Sequence, residues 1–266
     1  MVGDVKAAIM AGMKTEINKV SFETGRDYSI ARTAWPNKID ANIYAEIDAV
    51  KTHVNYNAAK AGSFEDSVLL AQAFMYEKSI SKLKSMPENT IILPIMAEEK
   101  MGKNAIPLGM ADVIKEHTGW RVADSIYQTN KAGHTGATGW HRIATPALFM
   151  GEVEKGASYL IVDDFIGMGG TAANIKSFIE RSGGTVVGYE MLTGKPESAT
   201  LYLRKETLDA LRGKYGNDEQ WFKETLGFGY EGLTESEANY LLRSKSSERI
   251  RNQIARAIYE NNSGKD

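Results

Sequence analysis

The fourteen residues from Ser158 to Thr171, Ser-Tyr-Leu-Ile-Val-Asp-Asp-Phe-Ile-Gly-Met-Gly-Gly-Thr, constrain the fold more than any other stretch of the chain. Tyr159 to Val162 is continuously apolar, with β-branched members. A strand with one wet face would alternate; a continuous run suits a strand covered on both faces, as in a parallel sheet. Asp163 and Asp164 then emerge at the strand's carboxyl end, and Gly167, Gly169, Gly170 and Thr171 lead into a helix. Open α/β sheets bind ligands at that edge. Glycines there let backbone N–H groups close around a phosphate at the helix N-terminus, with the Thr171 hydroxyl as a further donor. A plainer reading competes, in which the acids cap the helix and the glycines make a turn. Two adjacent carboxylates repel, however, and no cation lies within the motif to offset them. A hydroxyl-rich ligand or a magnesium ion would.

The rest of the chain supplies the alternation that such a strand requires. After Pro87 the pattern predicts a strand over 90–96, a helix over 107–117, a strand over 120–127 and a long polar loop. The strand at 158–163, a helix over 171–181 and a strand over 185–192 follow, which is the rhythm of a parallel sheet with covering helices. Gly183-Gly184 stops the last helix. Upstream, a helix is predicted over 41–61, and Ser63 caps a second one running to about Met86, with Val68, Leu69, Ala71, Met75, Ile80 and Leu83 as its apolar stripe. The reading is α/β: a central mostly parallel sheet with helices on both faces. Its parts are an N-terminal helical extension (1–62), a core (63–195) and a C-terminal helical segment (196–266).

Bulk properties exclude several classes. With 266 residues, 42% of them hydrophobic, the chain has ample material for a buried core. The net charge of −2 gives no global attraction to nucleic acid or to an anionic membrane. The absence of cysteine excludes disulfides, thiolate zinc sites and a cysteine nucleophile. Four scattered histidines argue against a histidine metal site. No apolar run reaches membrane-spanning length, and Met1 to Met13 lacks the form of a secretory signal, so a cytoplasmic protein is expected.

Strand, Asp-Asp, two apolar residues, short loop and Gly-Gly-Thr together resemble the motif by which type I phosphoribosyltransferases bind phosphoribosyl pyrophosphate (PRPP). The resemblance implies a phosphoribosyltransferase-type sheet in the core. It assigns Asp163 and Asp164 to the ribose 2′ and 3′ hydroxyls, and Gly167, Met168, Gly169, Gly170 and Thr171 to the 5′-phosphate. It further implies magnesium, entering with PRPP and met by Asp163 and Asp164, and an acceptor that is a nitrogenous base, orotate-like or another small base. A homodimer is expected on the same ground.

Two further loops fit this resemblance by position. In the family a pyrophosphate loop follows the first core strand, and here that place holds Glu99, Lys100, Gly102 and Lys103. The glycine permits close backbone approach and the lysines offset phosphate charge. Between the second and third core strands, residues 129–142 are too polar and glycine-rich for a core. Lys131 followed by His134, Gly136 and Gly139 is similar to the catalytic loop of orotate phosphoribosyltransferase. The resemblance gives Lys131 and Arg142 the charge that builds on departing pyrophosphate, and His134 a donor's or acid's part. Donors of that kind contribute about 3 to 4 kcal/mol each where they have been measured. The competing reading is a mobile polar insertion.

The sequence departs from the family pattern at two places. Hypoxanthine and guanine members carry an aspartate as general base where this chain has Gly167, and glycine cannot take a proton. Met168 replaces a small hydroxylated residue, removing one phosphate donor. At the C-terminus, Thr234 to Glu237 opens a helix with a capping box. The stretch to Leu241, followed by Lys245, Arg249, Arg251 and Arg256, is faintly like a helix-turn-helix. That is the basis of an alternative, a PRPP-sensing regulator that binds nucleic acid through its C-terminal helices. Glu235, Glu237, Glu248 and Glu260 dilute the positive field, and Leu241, Leu242, Ile250, Ile254 and Ile258 equally make a packing or dimer face.

Overall fold

The computed structural model describes residues 31–76, 80–96, 98–99, 102–130 and 137–263. Its main sheet holds four strands: β1 (Asn42–Ala45), β2 (Ile91–Pro94), β7 (Ser158–Ile166) and β8 (Thr185–Gly194). They lie in the order β1-β8-β7-β2, and every pairing is parallel. Two short hairpins flank it, β3 (Glu98–Glu99) with β4 (Gly102–Lys103) and β5 (Tyr127–Gln128) with β6 (Phe149–Met150).

The two faces of the sheet are read off alternate residues. Ile91, Leu93, Tyr159 and Ile161 enter one apolar cluster, with Ile175 and Ile179 of the helix that follows β7. Ile92, Leu160 and Val162 enter the other, with Leu70, Ile106 and Met110. Tyr159 to Val162 are at most 2% exposed. At roughly 1.5 to 3 kcal/mol for each fully buried apolar side chain, burial holds this strand firmly while its end carries two acids.

The helices are α1 (Ile47–Lys51), α2 (Tyr56–Lys60), α3 (Phe64–Phe74), α4 (Ile106–Thr118), α5 (Gly139–Ala144), α6 (Gly170–Arg181), α7 (Lys205–Tyr215), α8 (Glu219–Leu226), α9 (Glu235–Leu242) and α10 (Ser247–Ser263). Helices α3 and α4 cover one face of the sheet and α6 covers the other. Ser63 caps α3 by accepting from the Asp66 N–H, as its position before the acids predicts. A third cluster, with Trp140, Ile143, Leu211, Phe222, Tyr230, Leu241, Ile250 and Ile254, belongs to a C-terminal lobe built on α5 and α7 to α10. No helix among the described residues is long and apolar enough to cross a membrane.

Four expectations are corrected. The helix over 41–61 is instead β1 followed by α1 and α2. Asn42, Ile43 and Ala45 pair with Glu190, Met191 and Thr193 of β8, and the Thr193 hydroxyl donates to the Ala45 carbonyl at 2.7 Å. This long-range pairing overrides local propensity, and it places part of the expected N-terminal helical extension in the main sheet. The strand over 120–127 shrinks to a bridge between Val122 and Ile92 at the β2 edge, and only Tyr127 and Gln128 enter a ladder, with β6. Helix α3 ends at Phe74, and a 3-10 turn over Ser81–Ser85 carries Leu83 into the core. Strand β7 in turn runs three residues past Asp163, to Ile166.

Candidate functional site

The site is built at the carboxyl end of β7. Asp163 and Asp164 sit in the last turns of its ladder, both partly buried. The Asp163 carboxylate accepts the Asp164 N–H at 2.9 Å, which turns it back along its own backbone. Asp164 points to α2, where Lys60 Nζ donates to Oδ2 at 2.6 Å; the two side chains are 17% and 13% exposed. The cation missing from the motif is thus supplied by a helix more than a hundred residues earlier. Burial first, then the neighbouring Asp164 charge, pushes the Asp163 carboxyl well above the usual carboxylate range, with Lys60 opposing. The pair therefore presents less negative charge than two ordinary aspartates.

The loop that follows is held from outside. Gly169 adopts φ 79°, a left-handed conformation that strains any side chain, and a Cβ there would lie 2.5 Å from Leu201 Cδ2 and 3.2 Å from Thr234 Cγ2. The Ser198 hydroxyl donates to the Gly167 carbonyl. The Thr234 hydroxyl donates to the Met168 carbonyl at 2.6 Å. In a planar trans peptide the N–H of the next residue points opposite to the carbonyl. The amides of Met168 and Gly169 therefore face away from these two hydroxyls. Among the described residues no backbone or side-chain acceptor takes the amides of Gly169, Gly170 or Thr171, the last two being first-turn donors of α6. Gly167, Met168, Gly170 and Thr171 remain partly exposed. An array of inward-held carbonyls and outward amides at a helix N-terminus is suited to an anion.

Thr234 belongs to the capping box of α9, whose Glu237 accepts the Thr234 N–H at 3.0 Å. Glu237 also meets Arg32 in an ion pair of 2.6 Å, with side chains 0% and 1% exposed. Arg32 in turn donates to Asn174 of α6 at 2.7 Å and lies over the Phe228 ring at 4.4 Å. The N-terminal segment, α6 and the C-terminal lobe thus converge behind the glycine loop. The capping box is legible in sequence; its attachment to Met168, 66 positions away, is not.

The other expected site residues fall as follows. Lys131, His134 and Lys100 lie outside the described residues. The backbone of Glu99, Gly102 and Lys103 forms the β3–β4 hairpin, which follows β2. Because Pro94 pairs with Val162, that hairpin leaves the sheet at the same edge as Asp163. The polar loop is closed at its base by β5 and β6, and by Asn130, which accepts the Leu148 N–H at 2.8 Å and donates to the Pro146 carbonyl at 2.9 Å. At the loop's far end Thr138 caps α5. Trp140 stacks edge-on with Tyr240 of α9 at 4.9 Å. From α5, Arg142 reaches the glycine loop: a Cβ on Gly167 would lie 2.5 Å from its NH1. Gly167 is thus faced by a guanidinium.

The cations of the C-terminal helices are partly engaged within the lobe. Ile250 and Ile254 of α10 are buried in the lobe. Arg251 pairs with Asp218 at 3.2 Å and Arg256 with Glu260 at 2.7 Å, so two of the four cations expected on phosphates are already matched.

No family model matches the chain. Protein TraN of Escherichia coli is 33% identical over 218 residues, which are 81% of this chain and 49% of that protein. An uncharacterized protein of Haemophilus influenzae is 35% identical over 151 residues, 56% of this chain and 34% of that protein. The chain spans 49% of the first curated relative and 34% of the second. Among solved structures, adenine phosphoribosyltransferase from Leishmania donovani aligns with a TM-score of 0.35 and 14% identity, covering 80% of this chain and 84% of that one. A hypoxanthine phosphoribosyltransferase from Staphylococcus aureus aligns with a TM-score of 0.35 and 17% identity, covering 53% and 70%. These likenesses are weak, and the chemistry stands on the geometry of the loop.

Proposed function

We propose that the chain binds PRPP at the carboxyl end of β7 and transfers its phosphoribosyl group to a nitrogenous base, releasing pyrophosphate. One observation carries the reading: Asp163 and Asp164 stand near the end of β7, two strand residues before a loop whose carbonyls are tied back by Ser198 and Thr234 and whose amides face the other way. The acids suit a vicinal diol, and the amides suit the phosphate of the same sugar. Asp163, with its raised proton affinity, offers a diol a partner that can donate as well as accept.

In the proposed reaction a lone pair on the base nitrogen forms a bond to ribose C1 as the C1–oxygen bond to pyrophosphate breaks. Pyrophosphate leaves with that electron pair, and the nitrogen's proton passes to solvent. The loop over 129–142 is the segment suited to shield C1 from water, with Lys131 and His134 as its chemical groups. Gly167 provides no general base, so the reading favours an acceptor that needs none, such as a small base of the orotate kind.

Magnesium fits as a companion of the ligand. It commonly meets a protein through one or two carboxylates while ligand phosphates complete its oxygen shell. Asp163 and Asp164 are such a donor set, and no group of three or more metal-binding side chains occurs among the described residues. When bound, the ion would neutralise phosphate charge.

Isothermal titration of PRPP with magnesium into wild type and into the double variant Asp163→Asn/Asp164→Asn tests the reading. Binding to wild type and its loss in the variant are expected. Equal heats from the two proteins would remove the proposal.

A further inference from the structure

We infer that Arg142 is a ligand of the sugar's 5′-phosphate, positioned by the C-terminal lobe, rather than a group that acts on departing pyrophosphate; this deepens the PRPP reading above and rests on it. The phosphate loop begins at Gly167, and it is there that Arg142 arrives, its NH1 2.5 Å from where a Cβ would stand. A side chain at residue 167 would have to share that space with the guanidinium, whose far end would have to shift.

The loop has a deficit that a cation corrects. Met168 brings no hydroxyl to it. Backbone amides and the Thr171 hydroxyl can bond a phosphate, but they carry no net charge to set against a dianion. A guanidinium supplies both charge and a planar pair of donors matched to phosphate oxygens. The Asp163–Asp164 pair has a cation of its own in Lys60, so the charge of the acids is offset separately.

The guanidinium is also held. Its Nε donates to the Ala137 carbonyl at 3.3 Å, while the backbone N–H of Arg142 donates to the Thr138 carbonyl at 3.1 Å within α5. Helix α5 is pinned to the lobe by buried Trp140 and Ile143, and Gly139 lies so close under the Tyr240 ring that a Cβ would overlap it. Tyr240 is on α9, the helix whose cap, Thr234, bonds the Met168 carbonyl. One helix therefore sets the position of the phosphate loop at its first turn and of Arg142 at its last. Arg142 is half-buried, and burial lowers its pKa, so its charge is partly stripped of water.

Ligand dissection separates the two roles. Titrations of ribose 5-phosphate, pyrophosphate and PRPP into wild type, Arg142→Gln and Arg142→Lys would be compared, with thermal unfolding of each variant as the check on folding. Arg142→Gln is expected to weaken ribose 5-phosphate and PRPP by one common factor, about 10- to 100-fold for a lost charge-assisted bond, and to leave pyrophosphate affinity unchanged. Arg142→Lys keeps the charge and loses the fork, so it should show the same pattern with a smaller factor, and it decides the matter if the Gln variant does not fold. Loss confined to PRPP and pyrophosphate, or no loss at all, overturns the assignment. Wild type that binds neither ribose 5-phosphate nor PRPP overturns the parent reading and this one together.

Discussion

Replacing Thr234 with Val isolates the bond that ties the C-terminal lobe to the glycine loop after β7. The side chain is fully buried, and its hydroxyl does two things. It donates to the Met168 carbonyl at 2.6 Å, and it accepts the Glu237 N–H at 3.1 Å as the cap of α9. Valine keeps the shape, including the methyl that lies 3.2 Å from the Cβ position of Gly169, and removes both bonds. Loss of a cap costs about 1 kcal/mol, and loss of the hydrogen bond to the partly buried Met168 carbonyl costs about 0.5 to 1.5 kcal/mol. The sum is about 1.5 to 2.5 kcal/mol. Thr234→Ser retains the hydroxyl and loses one methyl, about 1 kcal/mol. Urea unfolding followed by tryptophan fluorescence would read both, with Trp140 reporting from the lobe itself. An unchanged slope against urea would show that the difference lies in stability and not in the unfolded ensemble. Should the Val and Ser variants agree within about 0.5 kcal/mol, the hydroxyl is not the tie described here.

Two other perturbations probe the buried charges. Glu190 is 4% exposed, and burial pushes its carboxyl up to about 7 from an ordinary 4.5, while the Asn42 amide, donating at 2.7 Å, draws it down. Between those values the unfolded chain releases a proton that the folded chain keeps, so wild-type stability should fall by about 3 kcal/mol as pH rises through the window. Glu190→Gln should lose that dependence; parallel stability–pH curves for the two proteins would contradict it. At the acids, Lys60→Met removes the cation that opposes the rise at Asp163, so carboxyl-carbon NMR should find Asp163 titrating higher still, and an unmoved midpoint would deny the coupling.

The parts of the fold legible in sequence are those whose cause is local. The apolar run at 159–162, the turn glycines and the helix stop at Gly183-Gly184 each carry their reason within a few residues, and β7, α6 and β8 follow from them. Strand β1 has no such signal. It is four residues long and half-buried, and its partner β8 lies almost 150 positions away. Val122 fails in the other direction: its segment has strand-forming residues, yet only a single bridge at the sheet edge. At the site, the order of acids and glycines is readable because the motif is contiguous. Lys60 on Asp164, Arg142 at Gly167 and Thr234 on Met168 are set by packing between elements, which no spacing rule encodes.

The Arg32–Glu237 pair has a bearing on how this module can be cut or recombined. Its two carboxylate oxygens serve the guanidinium while one of them also receives the Thr234 amide, all out of contact with water. A fragment trimmed to 63–195 would leave behind an edge strand, both members of the pair and the hydroxyl that orients Met168. A fragment that kept only one end would strand an ionised group in the interior, at about 3 to 5 kcal/mol. Shuffling of this unit between proteins is therefore expected to move both flanks with the sheet, as a buckle moves with the strap on either side.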